Sequence, residues 1–303
     1  MMIKQLHKTF FTLTFLLTLS QSLLANDQIN LFACEPEWAA IAHELGGDRL
    51  NTYSATTSEQ DPHHIQPRPS LISHARRADI LACTGAELEA GWLPVLLRKA
   101  GNSKILAGQP GYFMAADHVL LLGKPSILDR SLGDVHADGN PHFHTDPYRL
   151  QQVARALTET LASVDAIHAD EYRKNLSVFI SRMNQAIVRW TLQAKPLLGK
   201  TVIAHHKNWL YLENWLGLEE VGMLEPKSGI PPTSMHLSKV LSQMKQTPAD
   251  MIIYASHQDS HAAHWLSNKT AIPAISLPAT VEQGQDIFQW IDHIVDKLTK
   301  PLS

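Results

Sequence analysis

The sequence predicts an α/β protein of two lobes. Each lobe has a mostly parallel sheet flanked by helices, and one long backbone helix joins them. Three observations predict this. In both halves short apolar runs alternate with longer amphipathic ones, as in parallel strands with helical crossovers. Between the halves, 165–195 carries good helix formers and neither glycine nor proline. Histidines bunch directly after several of the apolar runs, where parallel sheets present their ligands.

In the first half, "INLFAC" reads as a strand and "PEWAAIAHELGG" as a helix with a glycine stop. "RLNTYS" is a second strand, followed by the proline-rich loop "SEQDPHHIQPRPS" at 58–70. "SLISHARRA" reads as helix, "DILAC" as strand and "LEAGWLPVLLRKAG" as helix again. "TDP" at 145–147 opens a further helix, with Asp146 as cap and Pro147 in the first position.

The connecting segment repeats Tyr172, Leu176, Phe179, Met183, Ile187 and Trp190 at three- and four-residue steps, the mark of one helix face. About 25 residues at ~1.5 Å each give a rod of roughly 37 Å, which Pro196 and Gly199 stop. The second half then reads "KTVIAH", "NWLYLENWLG", "EEVGML", "SMHLSKVLSQMKQ", "DMIIYAS", "HAAHWLSNKT", "AIPAISLP" and a final helix near 286–298. The expected organisation is a leader at 1–25, an N-terminal lobe at 26–165, the connecting helix at 166–197 and a C-terminal lobe at 198–303.

A chain of 303 residues that is 44% hydrophobic can bury substantial cores. A net charge of −3 gives no reason to expect nucleic acid as a partner. Lys4, His7 and Lys8 precede an apolar stretch at 10–19, and small Ala25 precedes polar Asn26. That is the order of a secretory leader. The mature chain is expected to start near Asn26 and to work in the periplasm, without membrane insertion and as a monomer. No cysteine follows the cleavage region, which argues against a lipid anchor. Cys34 and Cys83 close two apolar runs. They pair as a disulfide if those runs are neighbouring strands, and are otherwise two buried thiols.

Histidine is the compositional outlier, with 17 residues in clusters. His63 and His64 sit in the proline loop, whose low entropy would preorganise an imidazole for a metal. "DVHADGNPHFHTDP" offers Asp134, His136, Asp138, His142 and His144, of which His142 lies in the rigid Gly-Asn-Pro turn. His205 and His206 end an apolar strand, so alternation sends one to the core and the other to the cleft. His257, His261 and His264 have helical spacing and read first as an exposed helix face, with Asp259 the nearby carboxylate. Three imidazoles on separate elements, completed by water or a carboxylate, suit Zn²⁺.

Taken together, "DPHHIQPRPS", "ADILACTGAELEAGWLP", "GNPHFHTDP" and "HHKNWLYL" resemble the ZnuA/TroA-like periplasmic metal-binding proteins of ABC importers, the cluster A-I solute-binding class. The resemblance covers nearly the whole mature chain. It implies His63, His142 and His206 as metal ligands, with His206 five residues before Tyr211. It implies zinc as the transported ion, since manganese-type members carry a carboxylate at the third position, and an ABC permease as the partner. His64, His136, His144 and His205 are accessory metal contacts in this reading. Many members supply a fourth ligand from a Leu-Asp-Pro element; here that region reads "AISLPATV". The fourth ligand is open between water, Asp259 and Glu225. Two rival readings are a manganese-binding relative and a zinc hydrolase built on three histidines, although no H-E-x-x-H helix is present. A third makes the zinc purely structural. The stiff connecting helix implies loading by loop movement more than by wide lobe closure.

Overall fold

The computed structural model describes residues 28–126 and 133–302, so the leader at 1–25 lies outside the described residues. Strands β1 (Ile29–Ala33), β2 (Leu50–Ser54), β3 (Ile80–Cys83) and β4 (Tyr112–Met114) form one parallel sheet in the order β2-β1-β3-β4. Helices α1 (Pro36–Gly46), α2 (Pro69–Arg77) and α3 (Leu93–Ala100) flank it. Helix α4 (Pro147–Val164) and the long α5 (Ala169–Gln193) follow. A second parallel sheet takes the order β6-β5-β7-β8, from β5 (Thr201–Ala204), β6 (Glu219–Met223), β7 (Met251–Ala255) and β8 (Ala274–Leu277). Its helices are α6 (Leu210–Leu216), α7 (Ser234–Gln243), α8 (His261–Thr270) and α9 (Ile287–Thr299).

The sequence explains these elements locally. Strands β3 and β7 are buried along their whole length, which is why they read as unbroken apolar runs. Asp146 caps α4 by accepting from Tyr148 N, with Pro147 in the first turn. Asp286 and Gln289 close a capping box on α9. The connecting helix is 25 residues long and buries Tyr172, Phe179, Met183, Ile187 and Trp190, while Leu176 is half-buried.

Some expectations need correction. The helix expected from Leu88 begins only at Leu93, because Ala86 and Glu87 have positive φ and fold a turn before Pro94. His257 precedes α8, so it does not share a helix face with His261 and His264. Strand β4, "YFM", was not anticipated, since three residues carry no readable period.

One apolar core runs through both lobes. It joins Leu31 and Ala33 of β1 to Val202, Ala204 and Ile253 of the second sheet through residues of α1, α4, α5 and α9. The opposite face of each sheet carries its own smaller core. The lobes therefore share packed surface and are not two bodies on a flexible tether. Cys34 and Cys83 are joined by a disulfide across the ends of β1 and β3, and both are fully buried.

Candidate metal site

The carboxyl ends of both sheets face a shared cleft of about 1110 Å³. His63 enters it from the loop after β2. Asp61 shapes that loop as an Asx turn, its Oδ1 accepting from the His63 backbone N at 2.9 Å and from His63 Nδ1 at 2.7 Å. Trp92 Nε1 donates to Pro62 O at 2.9 Å and pins the loop to the start of α3. Burial alone would raise the Asp61 carboxyl, but the His63 hydrogen bond and charge hold it well below the usual carboxylate range. An ionised Asp61 fixes the proton on Nδ1 and leaves the Nε2 lone pair free.

His206 follows β5 and is held in the same way from a different element. Its Nδ1 donates to Glu225 Oε2 at 2.7 Å, and that oxygen also accepts from Gly229 N at 2.9 Å. Both histidines are thus oriented by a carboxylate at Nδ1, the arrangement that aims Nε2 of a metal-ligating imidazole.

His142 comes from the crossing segment between the lobes. Asn140 organises its turn: Oδ1 accepts from His142 N at 2.9 Å and Nδ2 donates to Lys207 O at 2.6 Å. Tyr211 buttresses the turn, its hydroxyl donating to Asn140 O at 2.6 Å and accepting from Leu122 N at 2.8 Å. This accounts for the spacing between His206 and Tyr211: one segment supplies an imidazole and the brace of the next one. Burial, then the nearby His63 and His206, holds the His142 imidazole well below its ordinary pKa, so it stays neutral.

His63, His142 and His206 each place a ring nitrogen within 4.8 Å of the others. Their ring centroids stand 5.5, 6.0 and 5.9 Å apart. His136 touches one member of the trio, its Nε2 lying 3.4 Å from His63 Nε2. Its Nδ1 donates to Ala86 O at 3.0 Å. Both rings have committed their Nδ1 protons, so two Nε2 lone pairs face each other. A shared cation or proton removes that repulsion. Burial, then His63, pushes the His136 pKa down to about 4.

The remaining candidates line the same cleft with other partners. Glu225 is committed to His206 and Gly229, and its other oxygen is 3.8 Å from His205 Nε2. Asp259 is exposed at the cleft rim, and its Oδ1 accepts from His261 N at 2.8 Å and from His261 Nδ1 at 2.5 Å. His64 is exposed. His144 donates from Nε2 to Ala279 O at 2.9 Å, and its Nδ1 is 3.5 Å from Glu37 Oε1. Thr280 Oγ1 donates to Glu37 Oε2 in a short contact. The segment where relatives were expected to carry an acid is therefore tied to the N-terminal lobe. The roles of Asp61, Asn140 and Glu37 were missed at the level of sequence. Asp61 and Asn140 left a signal there, each as the residue two before a histidine, in Asp-Pro-His and Asn-Pro-His.

Two parallel lobes on one shared core, with imidazoles from both meeting in the cleft, define a metal-binding solute-binding protein of an ABC importer, a capture protein and not an enzyme. The chain belongs to the ZnuA family, "zinc-uptake complex component A periplasmic", whose model matches residues 32–300. Among curated relatives is the manganese ABC transporter substrate-binding lipoprotein PsaA of Streptococcus pneumoniae, 20% identical over 92% of this chain and 90% of that protein. The metal ABC transporter substrate-binding lipoprotein FimA of Streptococcus parasanguinis is 20% identical over 88% of this chain and 86% of that protein. The fold matches a crystal structure of ZnuA with a TM-score of 0.75 at 18% identity, over 91% of this chain and 98% of that one. It also matches FpvC from Pseudomonas aeruginosa in complex with Mn²⁺, with a TM-score of 0.74 at 18% identity, over 90% of this chain and 99% of that one.

Proposed function

We propose that the protein captures Zn²⁺ in the periplasm and delivers it to the permease of an ABC importer. The observation that carries this reading is the convergence of His63, His142 and His206, with two of the three aimed by carboxylates at Nδ1. Three imidazole nitrogen donors suit zinc, whereas manganese favours more oxygen. His136, the group facing His63 from the crossing segment, serves as an accessory contact during loading. The family membership supports the importer partner. Manganese is the second reading, favoured by the names of the curated relatives.

Competitive titration of chelator-stripped protein with zinc against manganese at neutral pH tests the choice. One tight zinc equivalent on a folded chain, lost in His63→Ala, His142→Ala and His206→Ala, is expected. Tighter manganese would replace zinc with the second reading.

A further inference from the structure

Helices α2 and α3 run back against the parallel strands they connect, so their C-termini lie at the edge of the first sheet away from the cleft. That edge is basic. Between 62 and 116 the sequence holds six lysines and arginines against three acids, in a chain whose net charge is −3. Two of those acids are engaged at the cleft end of β3: Glu87 accepts from Ala137 N at 2.7 Å, and buried Glu89 accepts from Thr84 N at 2.7 Å. The third, Asp79, accepts from Lys104 Nζ at 2.7 Å and from Asn30 N at 3.0 Å.

The cations stand together because the two helix ends are tied side by side. Arg76 of α2 donates from Nε to Ala100 O at 3.2 Å and from Nη2 to Lys99 O at 3.3 Å, at the end of α3. Asn102, just past α3, returns its Nδ2 to Ala75 O at 2.9 Å and to Ala78 O at 2.7 Å. Arg76, Arg77, Arg98 and Lys99 are exposed and form no ion pair among the described residues. Cations in a last turn complement a helix dipole. Here Arg76 and Asn102 already satisfy carbonyls at both ends, so Arg77, Arg98 and Lys99 are not needed as caps.

The shape of the patch narrows its partner. The hollow beside Arg77, lined by Asn30, Asn51 and His74, has a volume of about 20 Å³. That is less than one water's share of liquid, about 30 Å³, so it does not enclose a small anion. Among the described residues, none of the exposed large apolar side chains lies on α2 or α3. A specific protein interface is centred on such anchors, whereas a group of four or more lysines and arginines reads an anionic lipid surface by charge alone.

We propose that this edge is a docking surface for an anionic phospholipid membrane, to which the protein adsorbs reversibly and without insertion. Adsorbed by this edge, the protein turns its cleft away from the lipid, open to the compartment from which it captures metal. Delivery then requires release, which an interaction made of exposed charges allows. The proposal goes beyond metal capture and does not depend on which ion is carried.

The test is co-sedimentation of the mature protein with phosphatidylcholine vesicles, with and without phosphatidylglycerol, at low and high salt. Binding is expected only with phosphatidylglycerol and should be lost at high salt. Arg77→Gln with Arg98→Gln and Lys99→Gln should weaken it about 100-fold. A control of equal charge change on the other lobe, Lys239→Gln with Lys245→Gln and Lys269→Gln, should bind as wild type does. Equal binding to neutral vesicles, no binding at low salt, or equal loss in both triple variants would overturn the proposal. Patch-dependent binding to soluble poly-L-glutamate, with none to vesicles, would replace the lipid by an acidic protein. Zinc affinity titrated alongside should match in all three proteins; its absence in all of them would count against metal capture and leave the membrane result standing.

Discussion

The two lobes use the same frame and secure it differently. In each, the second strand in sequence lies at one edge and the third strand in sequence lies inside, giving matched orders β2-β1-β3-β4 and β6-β5-β7-β8. Each sends one histidine into the cleft from beyond a strand end, and each orients it by a carboxylate at Nδ1. The N-terminal lobe does so locally, with Asp61 two residues before His63 and a disulfide stapling the ends of β1 and β3. The C-terminal lobe does so at a distance, with Glu225 reaching His206 across 19 residues and no disulfide among its described residues. The same aiming of Nε2 can therefore come from a tight turn or from tertiary packing, and the two should fail differently.

The largest effect should come from the element both lobes share. His142→Ala is expected to lower zinc affinity about 100-fold or more, at least as much as His63→Ala or His206→Ala, by direct competition titration. Next come the orienting carboxylates. Glu225→Gln and Asp61→Asn should each cost about 10–100-fold, with Glu225 the larger because it is buried while Asp61 is partly exposed. Equal, small effects on both would remove the orienting role from the account.

The staple separates stability from binding. Cys34→Ser with Cys83→Ser should lower stability by about 2–4 kcal/mol in denaturant unfolding, given a separation of 49 residues. Zinc affinity should change little, because no ligand depends on the bond. The smallest effect is a pH dependence in the C-terminal lobe. Burial, then Glu220, lifts Glu213 to about 8, against a partial offset from Lys207. A group raised in the fold contributes fully below its unfolded pKa, and the contribution is lost as pH rises through the folded value. Glu213→Gln should therefore leave stability unchanged in acid and raise it by on the order of 2 kcal/mol near pH 8, read as a rise in Tm.

Much of the fold was legible because parallel strands buried on both faces leave unbroken apolar runs, as "DILAC" and "DMIIYAS" do. The long helix showed itself through a face repeated over many turns, from Tyr172 to Trp190. The histidine trio was legible through its motifs, and the structure brings those three together. The supports were not legible. Tyr211 holds Asn140 across 71 residues and Thr280 meets Glu37 across 243, and such contacts leave no local periodicity to read. The partners of the fourth-ligand candidates were hidden for the same reason: Glu225 was visible as an acid, but its hydrogen bonds to His206 and Gly229 are a tertiary fact. The wholly shared core was also hidden, since sequence marks which residues are apolar and not which lobe they meet.

The central claim is that histidines from both lobes and the crossing segment hold one ion together. Zinc K-edge X-ray absorption on the one-to-one complex tests it most directly. The account predicts three imidazole nitrogens at about 2.0–2.1 Å. A shell dominated by oxygen, or containing fewer than two imidazoles, would contradict it.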